Sequence, residues 1–313
     1  MSVQDGKVGA PNDPPLVVWR VIDGKPGHEN QSRGLLRALG EIRPVQECVI
    51  DTRKLKLFSA LGAGRWGAQR DLPRPDLLIG AGHRTHYWLL AGRFWRGGRS
   101  VVLMKPTFPG AWFDLCVVSK HDGWSGRPNV LEIRGVLNAV QRTAAHDPAR
   151  GLILIGGPSR HATWSNETMA RQTLKIISDL PAVQWTLTTS RRTPAEFLHL
   201  LETAAKNLEV VPVERTGPDW VARNLAESAQ VWVSPDSVSM VYEALTSGAA
   251  VGLLDLKLHA RSKLNAGLRG LVDDGRVTSF ARYRAGDTLS AASEQLDEAG
   301  RCARWIVSNW FAR

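Results

Sequence analysis

The sequence predicts an α/β protein built as two Rossmann-like domains facing each other across a cleft. Three observations carry this. Short apolar, β-branched runs alternate with helical segments along the chain. Those runs are almost unbroken in hydrophobicity, as strands buried on both faces of a parallel sheet must be. The rhythm also stops at one polar stretch and restarts, and 313 residues suffice for two domains of about 150 residues each.

The elements follow in order. Residues 1–15, MSVQDGKVGAPNDPP, hold no apolar stretch and read as a disordered N-terminus, neither secretory signal nor transit peptide. Leu16–Ile22 (LVVWRVI) is a strand, Asp23–His28 its glycine-bearing loop, and a helix continues through Leu39. Asp76–Ile79 runs into Gly80-Ala81-Gly82, and Arg99–Met104 and Asp114–Ser119 are further strands. Gln141–Arg150 is polar, contains Pro148, and reads as the linker. Beyond it, Gly151–Ile155 is a strand, Gly156–Ser165 a loop, Glu167–Leu180 a helix and Val183–Thr188 a strand. Ser190–Pro194 leads into another helix, and Val210–Val213, Gln230–Val233 and Ala250–Leu254 are the later strands. Ser290–Trp310 reads as one amphipathic helix. The expected domains are 16–145 and 146–313, with the terminal helix in the second.

Composition narrows the function. With 43% hydrophobic and 22% charged residues the chain is globular, and no apolar run approaches the roughly 20 residues of a membrane-spanning helix. Cys48, Cys116 and Cys302 lie too far apart for a metal knuckle and suit a reduced, cytoplasmic setting. Residues 1–150 hold 22 Lys and Arg against 13 Asp and Glu, so nearly all of the net +10 sits in the first half. Within residues 53–99, ten basic residues accompany Phe58, Trp66, Trp88, Phe94 and Trp95. Arg84, Trp88, Arg93, Trp95, Arg96 and Arg99 are therefore expected to form a face for an anionic membrane or for the acceptor. A solvated basic face is the plainer alternative. Nucleic acid is disfavoured, because the charge is not laid out along a recognition motif.

Ligands of doubly wound sheets bind beyond the carboxyl ends of the strands, so the loops there hold the candidate residues. Gly156, Gly157 and Ser159 follow a strand, where glycine lets backbone amides approach phosphate oxygens. Arg191 and Arg192 follow the next strand, with Pro194 suited to a first helical turn. Asp236, Ser237 and Ser239 stand at a helix start, and Glu243 a turn or so further on suits two vicinal ribose hydroxyls. In the first half, His28 is the candidate general base for an alcohol, and Asp23, His121 and Asp122 are its competitors. Gly62–Gly67 fits a dinucleotide fingerprint but lacks the acidic residue about 20 positions on. His83 and His86 lack a third ligand, so no metal site is expected.

The ordered set DGKPGHENQ (23–31), LLIGAGHRT (77–85), WFDLCVVSKHDG (112–123), LILIGGPSRH (152–161), TTSRRTP (188–194) and PDSVSMVYEAL (235–245) resembles the mitochondrial-fission "elongated mitochondria" family. The resemblance implies a two-Rossmann fold of the GT-B glycosyltransferase type. PDSVSMVYEALTSG is also similar to the donor-binding segment of the enzyme that adds N-acetylglucosamine to the peptidoglycan lipid precursor. That similarity puts Glu243 on the ribose-binding glutamate and His28 near the end of an acceptor-side glycine-rich loop. Met104-Lys105-Pro106-Thr107 departs from the pattern, and no role carries over there. The expectation is a metal-independent inverting glycosyltransferase, with a nucleotide-sugar as substrate and no cofactor. It would act on an envelope glycolipid or other acceptor, in the cytoplasm or peripherally on the inner face of a bacterial inner membrane. The alternative is a non-catalytic membrane-surface binding protein on the same scaffold.

Overall fold

In the computed structural model, residues 14–55, 71–143, 145–160, 162–201, 206–259, 263–294 and 296–312 are described. The chain forms two units: one takes the chain up to Ala139 together with the segment from Asp297, the other is Val140–Leu296.

The first unit opens with β1 (Leu16–Ile22), whose apolar side chains are buried on both faces. Helix α1 (Pro26–Gly40) starts at a proline, whose missing N–H is harmless in the first turn. Then come β2 (Val45–Asp51), β3 (Leu77–Ala81), α2 (His83–Arg96), β4 (Arg99–Leu103), β5 (Leu115–Ser119) and β6 (Val130–Ile133). All six strands are parallel, in the order β2-β1-β3-β4-β5-β6. Strand order reverses about β1, so the crevice that doubly wound sheets use for ligands opens between β1 and β3.

The second unit contains β7 (Asp147–Leu154), β8 (Ala162–Thr163), α3 (Asn166–Asp179), β9 (Gln184–Thr188), α4 (Glu196–His199), β10 (Leu208–Val211) and α5 (Trp220–Glu227). It continues through β11 (Ser228–Val233), α6 (Val238–Ser247), β12 (Ala250–Leu253), β13 (Lys257–Leu258), α7 (Lys263–Asp273) and β14 (Thr278–Ser279). Its six-stranded parallel sheet has the order β10-β9-β7-β11-β12-β14, which places the switch point between β7 and β11. Strands β8 and β13 form a separate antiparallel pair.

Four expectations are corrected. Helix α8 runs only over Glu298–Trp310, because the Asp297 carboxylate accepts the Gly300 amide at 2.8 Å and fixes its start. It also belongs to the first unit, not the second: Cys302, Ala303 and Ile306 are buried with Leu35 and Leu39 of α1. Arg301 further bonds the Glu132 carbonyl of β6, and the Arg99 guanidinium lies 4.8 Å from the Trp310 ring centre. The stretch expected as linker is partly sheet, since Asp147–Arg150 opens β7 and pairs with β9 and β11. Trp88 is 4% exposed and packs in the core with Trp19 and Leu89, so it contributes nothing to a surface face. The N-terminus up to residue 13, Phe58, Trp66 and the Gly62–Gly67 stretch lie outside the described residues. Among the described residues no helix is long and apolar enough to cross a membrane.

Candidate functional site

The switch point of the first unit holds Asp23 and His28. Asp23 directly follows β1, is 4% exposed, and accepts from the Lys25 amide at 3.2 Å through Oδ1. Its Oδ2 lies 2.9 Å from Nδ1 of His28. A buried carboxylate at Nδ1 favours the tautomer protonated there and leaves the Nε2 lone pair as the basic site. The ring rests against Gly82, where β3 gives way to α2. There φ is +82° and an added Cβ would sit 2.3 Å from the imidazole, so glycine is required on both counts. The neighbouring Arg53 clasps Asp51 through two nitrogens, which holds the Asp51 carboxyl below its usual range. His86, one turn into α2, is buried against Phe113 with Nδ1 3.1 Å from Thr107 Oγ1. Burial, with a smaller contribution from His83, pushes its pKa down to about 4, so it serves as a neutral core residue.

At the switch point of the second unit the predicted residues converge, yet mostly on one another. The Asp236 side chain is wholly buried. It accepts from Ser234 Oγ at 2.7 Å, the Gly157 amide at 3.0 Å and Arg192 Nη2 at 2.7 Å. Arg192 also donates to the carbonyls of Gly157 and Pro158, both at 3.0 Å, and Ser234 Oγ accepts the Gly156 amide at 2.7 Å. The amides of Gly156 and Gly157 and the Arg192 guanidinium are thus engaged inside the protein and shape the loop. The packing is tight: a Cβ on Gly157 would fall 2.2 Å from the Arg192 carbonyl oxygen.

Arg191 is exposed beside this knot, Ser159 is half-buried, Ser237 precedes α6 without a side-chain capping bond, Ser239 is exposed in its first turn, and half-buried Glu243 lies one turn further on. The sequence reading missed Gly82 and Ser234. Glycine between strand and helix signals the first; a serine ending a strand two residues before an aspartate is only a faint signal for the second.

The expected basic face divides. Arg84 stands in the first turn of α2 and Arg96 in its last, about 18 Å apart at helical rise. Arg93 pairs with Asp114 at 2.9 Å, and Arg96 lies over the Trp19 ring. Trp95 is exposed, as is its neighbour Phe94. Among the described residues no group of three His, Cys, Asp or Glu side chains is disposed to hold a metal.

Two doubly wound parallel sheets in tandem, each with a polar knot at its switch point, define a protein of the GT-B fold type. The chain belongs to the mitochondrial fission ELM1 family, whose profile matches residues 26–310. No curated protein is similar enough in sequence to match. Solved structures share the fold at low identity. A candidate UDP-N-acetylglucosamine 2-epimerase from Listeria monocytogenes is 13% identical with a TM-score of 0.55, over 95% of this chain and 89% of that one. The UDP-GlcNAc 2-epimerase from Neisseria meningitidis, solved with UDP-GlcNAc, is 9% identical with a TM-score of 0.52, over 94% and 99%. The glycotransferase of kitacinnamycin is 13% identical with a TM-score of 0.50, over 94% and 95%.

Proposed function

We propose that this chain is a metal-independent, inverting glycosyltransferase. It would move a sugar from a nucleotide-diphosphate donor to a cell-envelope acceptor, lipid-linked or lipopolysaccharide, at the cytoplasmic face of a bacterial inner membrane. The observation that carries the reading is the Asp23–His28 pair at a switch point, where a held imidazole is poised as a general base. In the reaction, His28 Nε2 takes the proton of the acceptor hydroxyl as its oxygen bonds to the anomeric carbon. The bond from that carbon to the diphosphate oxygen breaks, and the nucleoside diphosphate leaves. The second unit binds the donor: Arg191 and the start of α6 at Ser237 and Ser239 face the diphosphate, and Glu243 takes the ribose. The Asp236–Arg192–Gly157 knot holds the loop around it. Cations and amides stabilise the leaving diphosphate electrostatically. Exposed Phe94 and Trp95 suit contact with the membrane that carries the acceptor.

A second reading, a non-catalytic surface-binding protein, is favoured by one feature: the Gly156 and Gly157 amides already have partners within the protein. One experiment separates the two. The protein is titrated with UDP, GDP, ADP and CMP under thermal melting, and sugar-nucleotide turnover is compared with that of His28→Ala. One nucleotide should stabilise both proteins, and turnover should fall at least about a hundredfold in the variant. No stabilisation by any nucleotide overturns the proposal.

A further inference from the structure

The central strands of the first unit lie side by side in the order β1-β3-β4-β5, all parallel. Each is followed within three residues by an exposed cationic side chain: Lys25 after β1, Arg84 after β3, Lys105 after β4 and Lys120 after β5. Parallel strands end on one edge, so this row shares the edge of Asp23 and His28. At about 4.8 Å between strands, it spans on the order of 15 Å.

Among the described residues, none of these four cations is in an ion pair or over an aromatic ring, whereas three arginines at the opposite edge have such partners. There Arg93 pairs with Asp114, and Arg96 and Arg99 lie over the rings of Trp19 and Trp310. Two carboxylates at the edge of the row are already taken, Asp23 by His28 and Asp51 by Arg53. The backbone adds an independent sign. Met104, immediately before Lys105, is the one non-glycine residue with positive φ among the described residues, at 79°. Strain of this kind persists where surrounding structure enforces it, and it clusters at ligand sites. The four cations outnumber Glu29 and Asp122, the other carboxylates at this edge, and like charges in excess repel one another. An anionic ligand along the edge supplies what the protein does not.

We infer that the ligand meeting His28 carries phosphate of its own: a phosphorylated acceptor, gripped by Lys25, Lys105 and Lys120 while its hydroxyl faces the imidazole. The word acceptor rests on the glycosyltransferase reading; the anion site does not. The probe is inorganic pyrophosphate, titrated into the full chain at low ionic strength, where exposed charges are least screened. Wild type, the Lys105→Gln/Lys120→Gln double variant and Arg191→Ala are compared, each with and without saturating UDP. Both lysines are exposed, so the double variant should keep the wild-type melting temperature.

In the presence of UDP, pyrophosphate affinity should fall about tenfold or more in the lysine variant and stay unchanged in Arg191→Ala. Unchanged affinity in the lysine variant overturns the inference and leaves the nucleotide reading standing. Lysine-dependent pyrophosphate binding in a protein that ignores UDP keeps the anion site and overturns the donor assignment. Vesicles of phosphatidylcholine with or without phosphatidate identify the source of the phosphate. Lysine-dependent sedimentation with phosphatidate means it arrives on a lipid; pyrophosphate binding alone means a soluble acceptor. Tighter lysine-dependent binding to a single-stranded oligonucleotide than to pyrophosphate overturns the inference in favour of nucleic acid.

Discussion

Gly82 has φ +82° and ψ 155°, backbone essentially confined to glycine, and any side chain there meets the His28 ring. Gly82→Ala is therefore expected to cost about 2–4 kcal/mol, combining backbone strain with the clash. It should also lower turnover more than the thermal shift alone explains, because the imidazole must leave Asp23. Denaturant unfolding and steady-state rates on one preparation check both. His86 supplies a pH dependence. Its folded-state pKa is near 4, below the ordinary value of 6.5, so the unfolded chain binds the extra proton between those values. Stability present above pH 6.5 is lost as pH falls towards 4, by about 3 kcal/mol in all. His86→Asn, which keeps an amide near Thr107, should flatten the curve over that window. Asp23 and His28 were legible from sequence only as rival bases on one strand-to-helix loop; that they bond each other is seen only in the structure. The Asp236–Gly157 contact joins residues 79 apart, and no local pattern announces it.

At the scale of elements, every central strand of the two six-stranded sheets is read from the sequence, as is the edge strand β10, whereas the missed β2, β6 and β14 lie at sheet edges. β2 (VQECVID) and β6 (VLEI) expose or half-expose most of their residues, so their hydrophobic pattern is weak where the sheet meets solvent. The helix α2 carries His, Arg and Trp in place of a clean aliphatic stripe, so its bounds do not show in the hydrophobic pattern. The extent and ownership of α8 were also not legible: amphipathicity says that a face is buried, never against what. Ile306, fully buried between α8 and α1, provides the test. Ile306→Ala should cost about 2–4 kcal/mol and accelerate proteolysis within the first unit before the second. In the second unit, Asp236→Ala leaves the Gly157 amide and the Ser234 hydroxyl without their acceptor. A loss of about 2–4 kcal/mol is expected, softened because Arg192 can reach water. Digestion patterns assign each effect to its unit.

At the scale of the molecule, two cores should give two unfolding transitions, and a ligand should move only the one whose native state it binds. A nucleotide at 100 times its Kd adds about 2.7 kcal/mol to that unit. The transition it raises is expected to be the one weakened by Asp236→Ala; Arg191→Ala should shrink the shift without moving the unliganded midpoint, and Glu243→Ala should shrink it as well. Calorimetry with and without nucleotide decides this; a shift of the transition weakened by Ile306→Ala would place the nucleotide in the first unit.

The return of the last helix to the first unit also bears on how the protein is made. A chain leaving the ribosome ordinarily folds its leading domain first. Here the stretch up to Ala139 emerges with the apolar side of α1 bare, and its cover, residues 298–310, is synthesised only after the whole second unit. The continuous segment Val140–Leu296 can complete its core earlier. Assembly during translation should therefore run from the inside of the sequence outward, and a nascent chain halted before residue 298 should be one that chaperones hold.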